Sequence, residues 1–499
     1  MSQHLFAAFA QSASTRAEKP ALFWARDQFT YGRLLQQSLW VGARLRTDLG
    51  VQPGDRVAIW LRNRPEFIGA LFGILAAGGV AVPINNFLKP NEVAYMLEDA
   101  GVGVVITDDS SPDALAALQG LRPRLGLLRV EDIPADPGTV GFQPVGRSQS
   151  DLAVLIYTSG TTGKPKGAML THGNLLHNVE SCRQILEIVD LDRLVLLLPM
   201  FHSFMLTVGI LLPLLVGGSI VLIKSLTPPK AMIEEILINR GTVLPAMAQV
   251  FRALSGLPPG IELPLRLCVS GAGPLPMEIL KGFNARHPKV PLIEGYGLSE
   301  ASPVVSVNPV QGPWIPGTIG IPIPDVEMSV QDDSGALLGD GIDGEICVRG
   351  GNVMAGYWNA PEKTAETLVG GWLRTGDIGH RRPDGYYVIT DRKKDMLKPN
   401  GINVYPREIE EVLYGFQGIR ECAVVGEPDE RRGERVVAFV AMDDGREFDE
   451  KAVIAFLKER LADYKVPRRV VQLPALPRNA TGKILKTSLR EMLRSQTAS

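Results

Sequence analysis

The sequence has few of the residues that are typical of disulfide-bonded, metal-binding or nucleic-acid-binding proteins. It has four cysteines in 499 residues, all far apart and without a C-x-x-C pair, so neither a zinc site nor a disulfide framework is indicated. The formal net charge is −2, which leaves no basic field to favour nucleic acid. The start, from Met1 to His4, lacks the basic and apolar segments of a signal peptide. We therefore expect reduced thiols and a cytoplasmic location.

One long stretch, 194–223, lacks charged residues altogether. Its length would cross a bilayer, but Pro199, Pro213 and several glycines would break a single helix. We therefore predict a buried helix followed by a core strand at 219–223, and no transmembrane segment. Peripheral contact with the inner face of a membrane stays open.

The bulk composition, 45% hydrophobic and 21% charged, is typical of a globular protein with a sizeable core. Apolar residues at helical spacing in 66–77 are followed by strand-like runs at 79–83 and 104–107. This alternation predicts an α/β fold with largely parallel sheets. Residues 108–150, richer in Asp, Pro, Ser and Gly, are predicted to form a surface excursion.

The densest chemistry lies at 157–167, which reads YTSGTTGKPKG after a predicted buried strand at 152–156. Glycines let backbone N–H groups approach an anion, and hydroxyl and ammonium groups add donors, so this loop is predicted to bind phosphate. It is not a Walker loop, because Lys164 is followed by Pro165 instead of Ser or Thr. A polar turn without a ligand is the alternative.

Two more predicted strands, 267–269 and 292–293, lead into the glycine-rich turns 270–274 and 294–300. Ligands of open α/β sheets bind beyond the carboxyl ends of strands, where such turns lie. Small residues in the first turn leave room for a flat base, and the Tyr296 ring can stack on it. Both turns are therefore predicted to line a nucleotide site.

The second turn ends in two oxygen-bearing side chains, Ser299 and Glu300. The serine offers a hydroxyl to phosphate, and the carboxylate offers an oxygen to magnesium, a hard cation that prefers such ligands. A cap on a following helix is the alternative interpretation.

Three other candidates give weaker signals when each is considered alone. His202, with aromatic neighbours on both sides, is either a packed core residue or the wall of a pocket. Asp377 ends a glycine turn, where a carboxylate accepts hydrogen bonds from a ribose diol or forms an Asx turn. Five consecutive charges at 391–395 predict a solvated linker, and with it a domain boundary.

Residues 395–499 are predicted to form a small α/β unit. Helices are expected at 406–416 and 449–461, and Lys483 closes a turn near the end. Alone, that lysine is one of many exposed lysines.

Five separated segments, in order from Tyr157 to Lys483, resemble the motifs of adenylate-forming enzymes: acyl-CoA synthetases, luciferases and peptide-synthetase adenylation domains. The resemblance implies a large N-terminal domain of α/β sheets with a barrel-like part, and a small mobile C-terminal α/β domain. The expected division is 1–393 and 394–499, with the small domain turning between two poses.

Matched residue by residue, the resemblance implies roles for the candidate site residues. Expected at the β- and γ-phosphates are Thr158, Ser159, Gly160, Thr161, Thr162, Gly163 and Lys166, with Ser299. Expected around adenine are Ala272, Gly273, Glu294, Gly295 and Tyr296, and at the ribose Asp377 and Arg392. Thr158 and Glu300 are expected near magnesium. Lys394 is expected to be the hinge, Lys398 to lie near the nucleotide, and Gly401 to line the thiol tunnel. Expected to be catalytic are Lys483, Glu300, His202 and Arg392.

The implied reaction uses ATP, Mg²⁺ and coenzyme A. A carboxylate attacks the α-phosphorus to give acyl-AMP and pyrophosphate, and the coenzyme A thiolate then displaces AMP. Because 295–309 resembles bacterial fatty-acyl-CoA ligases and residue 202 is not the Asp that pairs with an amino group, we expect a medium- or long-chain fatty acid. An aryl acid such as benzoate or a coumarate, a carrier-protein acceptor and a homodimer remain open. Outside this class, the alternatives are a P-loop NTPase and a membrane-associated binding protein.

Overall fold

The computed structural model describes residues 4–158, 165–225, 229–429, 433–479 and 482–497. The strands are β1 Pro20–Trp24, β2 Asp27–Thr30, β3 Arg56–Trp60, β4 Val80–Pro83, β5 Val104–Thr107, β6 Gly126–Arg129, β7 Leu152–Thr158, β8 Lys166–Thr171, β9 Arg193–Leu196, β10 Ser219–Leu222, β11 Val243–Ala246, β12 Leu267–Ser270, β13 Leu292–Gly297, β14 Val304–Val307, β15 Ile321–Pro322, β16 Val326–Gln331, β17 Gly344–Gly350, β18 Leu368–Val369, β19 Trp372–Arg381, β20 Tyr387–Arg392, β21 Ile419–Asp429, β22 Gly433–Met442 and β23 Arg469–Gln472. The α-helices are α1 Leu5–Thr15, α2 Tyr31–Thr47, α3 Glu66–Ala76, α4 Pro90–Asp99, α5 Pro112–Leu121, α6 His172–Ile185, α7 Leu212–Val216, α8 Pro229–Ile238, α9 Ala248–Ser255, α10 Met277–Arg286, α11 Pro361–Thr367, α12 Pro406–Tyr414, α13 Glu450–Lys458 and α14 Lys486–Thr497. Short 3₁₀ turns lie at Val130–Asp132, Ser299–Ala301 and Pro399–Gly401.

The first sheet has six strands in the order β6-β5-β3-β4-β7-β8, parallel except for the β7–β8 hairpin. The strands predicted at 79–83, 104–107 and 152–156 are confirmed, and each is a short, mostly apolar and largely buried run. The surface excursion predicted for 108–150 is wrong in part. It contains α5 and the edge strand β6, which pairs with β5.

The second sheet has nine strands in the order β15-β14-β13-β12-β11-β9-β10-β1-β2. The charge-free stretch 194–223 supplies two of them, β9 and β10, which enclose a π-helical segment, Met205–Leu211, and α7. Helix α7 ends where Gly217 adopts φ = 94°, a left-handed conformation that favours glycine. The predicted buried helix and core strand are confirmed, and the strand-like run before His202 is β9. No helix in the described ranges is long and apolar enough to cross a bilayer.

A third, antiparallel sheet follows in the order β16-β17-β19-β18, with β20 paired to β19, and it occupies the place of the expected barrel-like part. In this pairing Asp377 lies directly opposite Arg392. Asp377 was expected at the end of a glycine turn, which is wrong. It lies inside the ten-residue strand β19, because the ladder with β20 reaches Asp377, although the preceding Gly376 keeps a left-handed φ of 72°.

The C-terminal unit is built on a three-stranded sheet, β21-β22-β23. Helices α12 and α13 pack on one face and α14 covers the other, so this sheet has two apolar layers of its own. The predicted helices 406–416 and 449–461 are confirmed as α12 and α13, and all four cysteines are free and buried. A large α/β region followed by a smaller α/β unit confirms the fold class, and the division at 393/394 stays a prediction.

The charge run 391–395 is only in part the solvated linker that its composition predicts, because Lys393 and Lys394 are exposed while both aspartates are not. Asp391 and Asp395 are buried. Asp391 accepts a hydrogen bond from the Arg407 amide at 2.9 Å, and Asp395 accepts one from the Arg490 guanidinium at 2.8 Å. Partners brought from distant parts of the chain make the burial of these carboxylates tolerable.

Candidate active site

The centre of the candidate site is a buried carboxylate held between a phenol and a guanidinium. The Tyr296 hydroxyl donates to Asp377 Oδ2 at 2.5 Å, and Arg392 Nε lies 3.3 Å from Asp377 Oδ1. Only 5% of Asp377 is exposed. Burial, together with the Asp377 charge, raises the pKa of Tyr296 well above its ordinary value, so the phenol remains a donor. Three strands, β13, β19 and β20, thus fix three predicted site residues in one cluster.

The predicted base-binding residues lie on two adjacent strand ends. Glu294, Gly295 and Tyr296 were expected in a turn, which is wrong, because β13 continues through them and pairs with β14. At the end of β12, Ala272 adopts φ = 65° and is exposed, and a Cβ on Gly273 would meet no atom within 4 Å. The turn after β12 therefore leaves open space for a flat group.

Glu294 itself is turned into the protein. Its Oε1 accepts a hydrogen bond from the Leu275 amide at 3.3 Å and lies 3.7 Å from the Arg407 guanidinium of α12. Burial raises the Glu294 pKa to about 7, although the Arg407 charge partly offsets this effect. This carboxylate therefore links the base-binding edge to the C-terminal unit.

That raised pKa predicts a pH-dependent stability. A carboxyl whose pKa is higher in the folded state stabilises the fold when protonated, and this stabilisation is lost as the pH rises through the folded-state pKa. Relative to Glu294→Gln, the wild type is expected to lose on the order of 2 kcal/mol of unfolding free energy between pH 5 and pH 8. Denaturant unfolding at both pH values measures it, with the exposed Glu278→Gln as control. Parallel pH profiles for wild type and Glu294→Gln would contradict the assignment.

The phosphate side of the site begins where β7 ends. Thr158, the last residue of β7, pairs with Lys166, the first of β8, while residues 159–164 between them, including the predicted Ser159, Gly160, Thr161, Thr162 and Gly163, lie outside the described ranges. The Lys166 ammonium lies 5.7 Å from the centroid of the Tyr357 ring, and the Tyr357 hydroxyl donates to Glu300 Oε1 at 2.8 Å. Sequence reasoning missed Tyr357, because nothing in its own segment distinguishes it from a packed tyrosine.

Ser299 and His202 follow different strands, β13 and β9, and Ser299 contacts the neighbour of His202. Ser299 Oγ shares a hydrogen bond of 2.9 Å with Oγ of the buried Ser203. His202 Nδ1 accepts the Phe204 amide at 3.2 Å, which places its ring proton on Nε2. Burial and the Lys483 charge lower the His202 pKa to about 4, so the imidazole is neutral at pH 7. His202, which was predicted to line a pocket, is thus a neutral hydrogen-bond donor that is influenced by the charge of Lys483.

Lys483 reaches this site from the C-terminal unit. Its amide donates to Asn479 Oδ1 at 2.8 Å, and the preceding Gly482 adopts φ = 80°. A Cβ on Gly482 would lie 2.5 Å from Met247 Cε, so the turn is seated directly against the loop after β11. Although the Lys483 side chain keeps substantial exposure, partial desolvation of the ammonium by the surrounding protein and then the Arg392 charge lower its pKa to about 7.

The other predicted C-terminal residues take two positions. Lys394 lies in the turn that follows β20, and its charge acts on Lys483. Lys398 and Gly401 lie instead beside β22, where the Lys398 amide donates to Glu434 Oε2 at 2.8 Å. Their assignments to the nucleotide and to the thiol tunnel stay predictions.

Comparisons with known proteins identify related chains over almost the whole length. Residues 9–358 match the AMP-binding enzyme family, and residues 408–483 match the AMP-binding enzyme C-terminal domain. A long-chain-fatty-acid–CoA ligase of Bacillus subtilis (strain 168) is 35% identical over 96% of this chain and 93% of its own. A feruloyl-CoA synthase of Amycolatopsis sp is 37% identical, covering 92% and 93%.

Among solved structures, ATP-bound MatB from Rhodopseudomonas palustris superposes with a TM-score of 0.91 at 32% identity, covering 99% of each chain. The apo form of MatB also covers 99% of each chain, but it superposes with a TM-score of 0.78. The chain as a whole therefore superposes better on the ATP-bound form than on the apo form.

Proposed function

This chain belongs to the AMP-binding enzyme family and is an AMP-forming acid–CoA ligase with ATP and coenzyme A as substrates, and we propose that its acid is a medium- or long-chain fatty acid. The observation that carries this proposal is the stretch 194–223. It has no charged residue, most of it is buried, and it enters the candidate site at His202. Such a wall favours an alkyl tail and offers no carboxylate to pair with the ammonium group of an amino acid.

A chain-length series tests the proposal. Each methylene buried in an apolar tunnel contributes about 0.8 kcal/mol, so kcat/KM should rise about fourfold per methylene until the tunnel ends. Pyrophosphate release with acids from acetate to palmitate, with and without coenzyme A, measures this and shows whether that thiol is the acceptor. Activity with amino acids equal to that with decanoate, or higher with acetate than with decanoate, would contradict the fatty-acid assignment.

An aryl acid is the second candidate, favoured by the feruloyl-CoA synthase relative. The Phe204 ring also lies close to Gly271, directly after β12. A Cβ added to this glycine would lie 3.0 Å from the ring. Benzoate and coumarate belong in the same panel. A kcat/KM for either that exceeds every alkyl acid would favour this candidate.

For the first step, we assign the electrostatic work to Lys483 and magnesium. Two anions must meet at the α-phosphorus, and cations placed there offset the growing charge. The oxygens of Glu300 and Thr158 suit magnesium, a hard cation, and would hold it beside the phosphates. The neutral His202 would border the acid's carboxylate.

The same proposal places the nucleotide along the edges of β12, β13 and β19. Ala272 and Gly273 with Tyr296 frame the open space suited to adenine. Asp377 retains oxygen lone pairs beyond its two protein contacts, and with Arg392 would bind the ribose diol. Lys394 would be the hinge between domains 1–393 and 394–499.

A further inference from the structure

A short segment, 354–358, connects two parts of the proposed ATP site that are distant in sequence. It lies along β8 as an added extended segment, with a bridge between Tyr357 and Ala168. The backbone bonds to β8 run from the Trp358 amide to Gly167 O (2.8 Å), from the Ala355 amide to Met169 O (2.9 Å) and from the Met169 amide to Gly356 O (2.9 Å). At its other end, the Met354 amide donates to Glu300 O at 2.8 Å. The segment therefore fixes the exit of the phosphate loop relative to Glu300.

The Tyr357 side chain also connects Glu300 to the residues that follow the phosphate loop. Its hydroxyl donates to Glu300 Oε1 at 2.8 Å, and its ring faces the Lys166 ammonium at 5.7 Å. The phenol thus binds one carboxylate oxygen and leaves the lone pairs of the other for a ligand.

We propose that Tyr357 is a positioning residue, which holds the Glu300 carboxylate in the orientation that receives the metal of MgATP. Free glutamate side chains rotate about three bonds, and ligating carboxylates in metal sites are oriented by a hydrogen-bonded partner. The proposal rests on the proposed role of Glu300 as a magnesium ligand. It adds that the metal site is tied through Tyr357 to Lys166, at the exit of the phosphate loop.

The test is Tyr357→Phe, which removes the hydroxyl and keeps the ring beside Lys166. Calorimetric titration with ATP, with and without Mg²⁺, gives the metal-dependent part of the ATP affinity. Loss of such an orienting partner typically costs about 10- to 100-fold in metal affinity, and we expect a fall in this range with metal-free ATP binding unchanged. An unchanged metal-dependent part in a variant that melts like the wild type would overturn the proposal.

Two further variants separate the causes. Tyr387→Phe is the matched control, since its buried hydroxyl donates to Met328 O at 2.7 Å in the third sheet and should leave the Mg²⁺ dependence unchanged. In a Glu300→Gln background, Tyr357→Phe should add less than a twofold change, because no carboxylate remains to be held. An equal cost in both backgrounds would mean that Tyr357 acts through the fold, which overturns the positioning role. If Glu300→Gln itself leaves the Mg²⁺ dependence intact, the metal assignment fails and this inference fails with it.

Discussion

Replacing Lys483 with alanine is expected to slow acyl-AMP formation about 100- to 1,000-fold, the range seen when an electrostatic stabiliser of a transition state is removed. The physical reason is the position of the ammonium group. The turn that carries it is seated against Met247. The Lys483 charge acts on His202, and the charges of Arg392 and Asp377 act on Lys483. We propose that it faces the α-phosphate, where negative charge builds in the first step.

The measurement is single-turnover acyl-AMP formation, with acyl-CoA formation from synthetic acyl-AMP as the second assay. Lys483→Ala should be nearly normal in the second, because acyl-AMP bypasses the step that needs the cation. The exposed Lys451→Ala, on the same unit, is the control. Equal loss in both assays would contradict a role confined to adenylation.

The lowered pKa gives this prediction a second readout. Lys483 works as an ammonium ion, so with a pKa of about 7 its charge is present at lower pH and is lost as the pH rises through 7. The kcat/KM for ATP reports groups of the free enzyme and should fall on the alkaline side of this pKa. Lys483→Arg, which keeps its charge at any pH used, should lose that alkaline limb.

The sequence predicted those elements whose structure is determined by residues close to them along the chain. Short, mostly apolar runs such as 104–107 and 152–156 identified strands, because a strand buried on both faces is a near-continuous apolar run. The resemblance then named Tyr296, Asp377 and Arg392, which the structure brings together. Reading the motifs as turns failed where pairing with β14 and β20 extended the strands through them.

What the sequence did not reveal depends on partners far along the chain. Asp395 belongs to a run of five charges and was expected in solvent, yet its partner Arg490 arrives from α14, 95 residues later. Tyr357 has no distinguishing neighbours, and its partner Glu300 lies 57 residues earlier. Only the tertiary structure pairs these groups, so a local pattern cannot show whether such a charge is solvated or buried.

Because we propose Lys394 as the hinge, Lys394→Pro is expected to slow thioester formation about 100-fold, which corresponds to a cost of about 3 kcal/mol for a fixed backbone angle. In the pose seen here, Arg392 O accepts from the Asp395 amide at 2.9 Å and from the Met396 amide at 3.1 Å, a single helical turn. Among the backbone bonds of the described ranges, none is donated by the Lys394 amide, so proline removes none. A φ near −65° is in the range of a helical turn, although proline here also restricts Lys393.

Acyl-AMP formation should therefore survive in Lys394→Pro, since the observed pose already seats Lys483 beside Asp377. Leaving this pose requires loss of contacts between the two units, such as the ion pair of Arg252 with Asp443 at 2.8 Å, and a dihedral change at the hinge. Single-turnover acyl-AMP formation and acyl-CoA release from synthetic acyl-AMP measure the two steps on protein that melts as a folded chain. Lys394→Ala, which removes the side chain and leaves the backbone free, is the matched control and should keep more of the second step. If both steps fell together in folded Lys394→Pro, or neither changed, the hinge would lie at another residue.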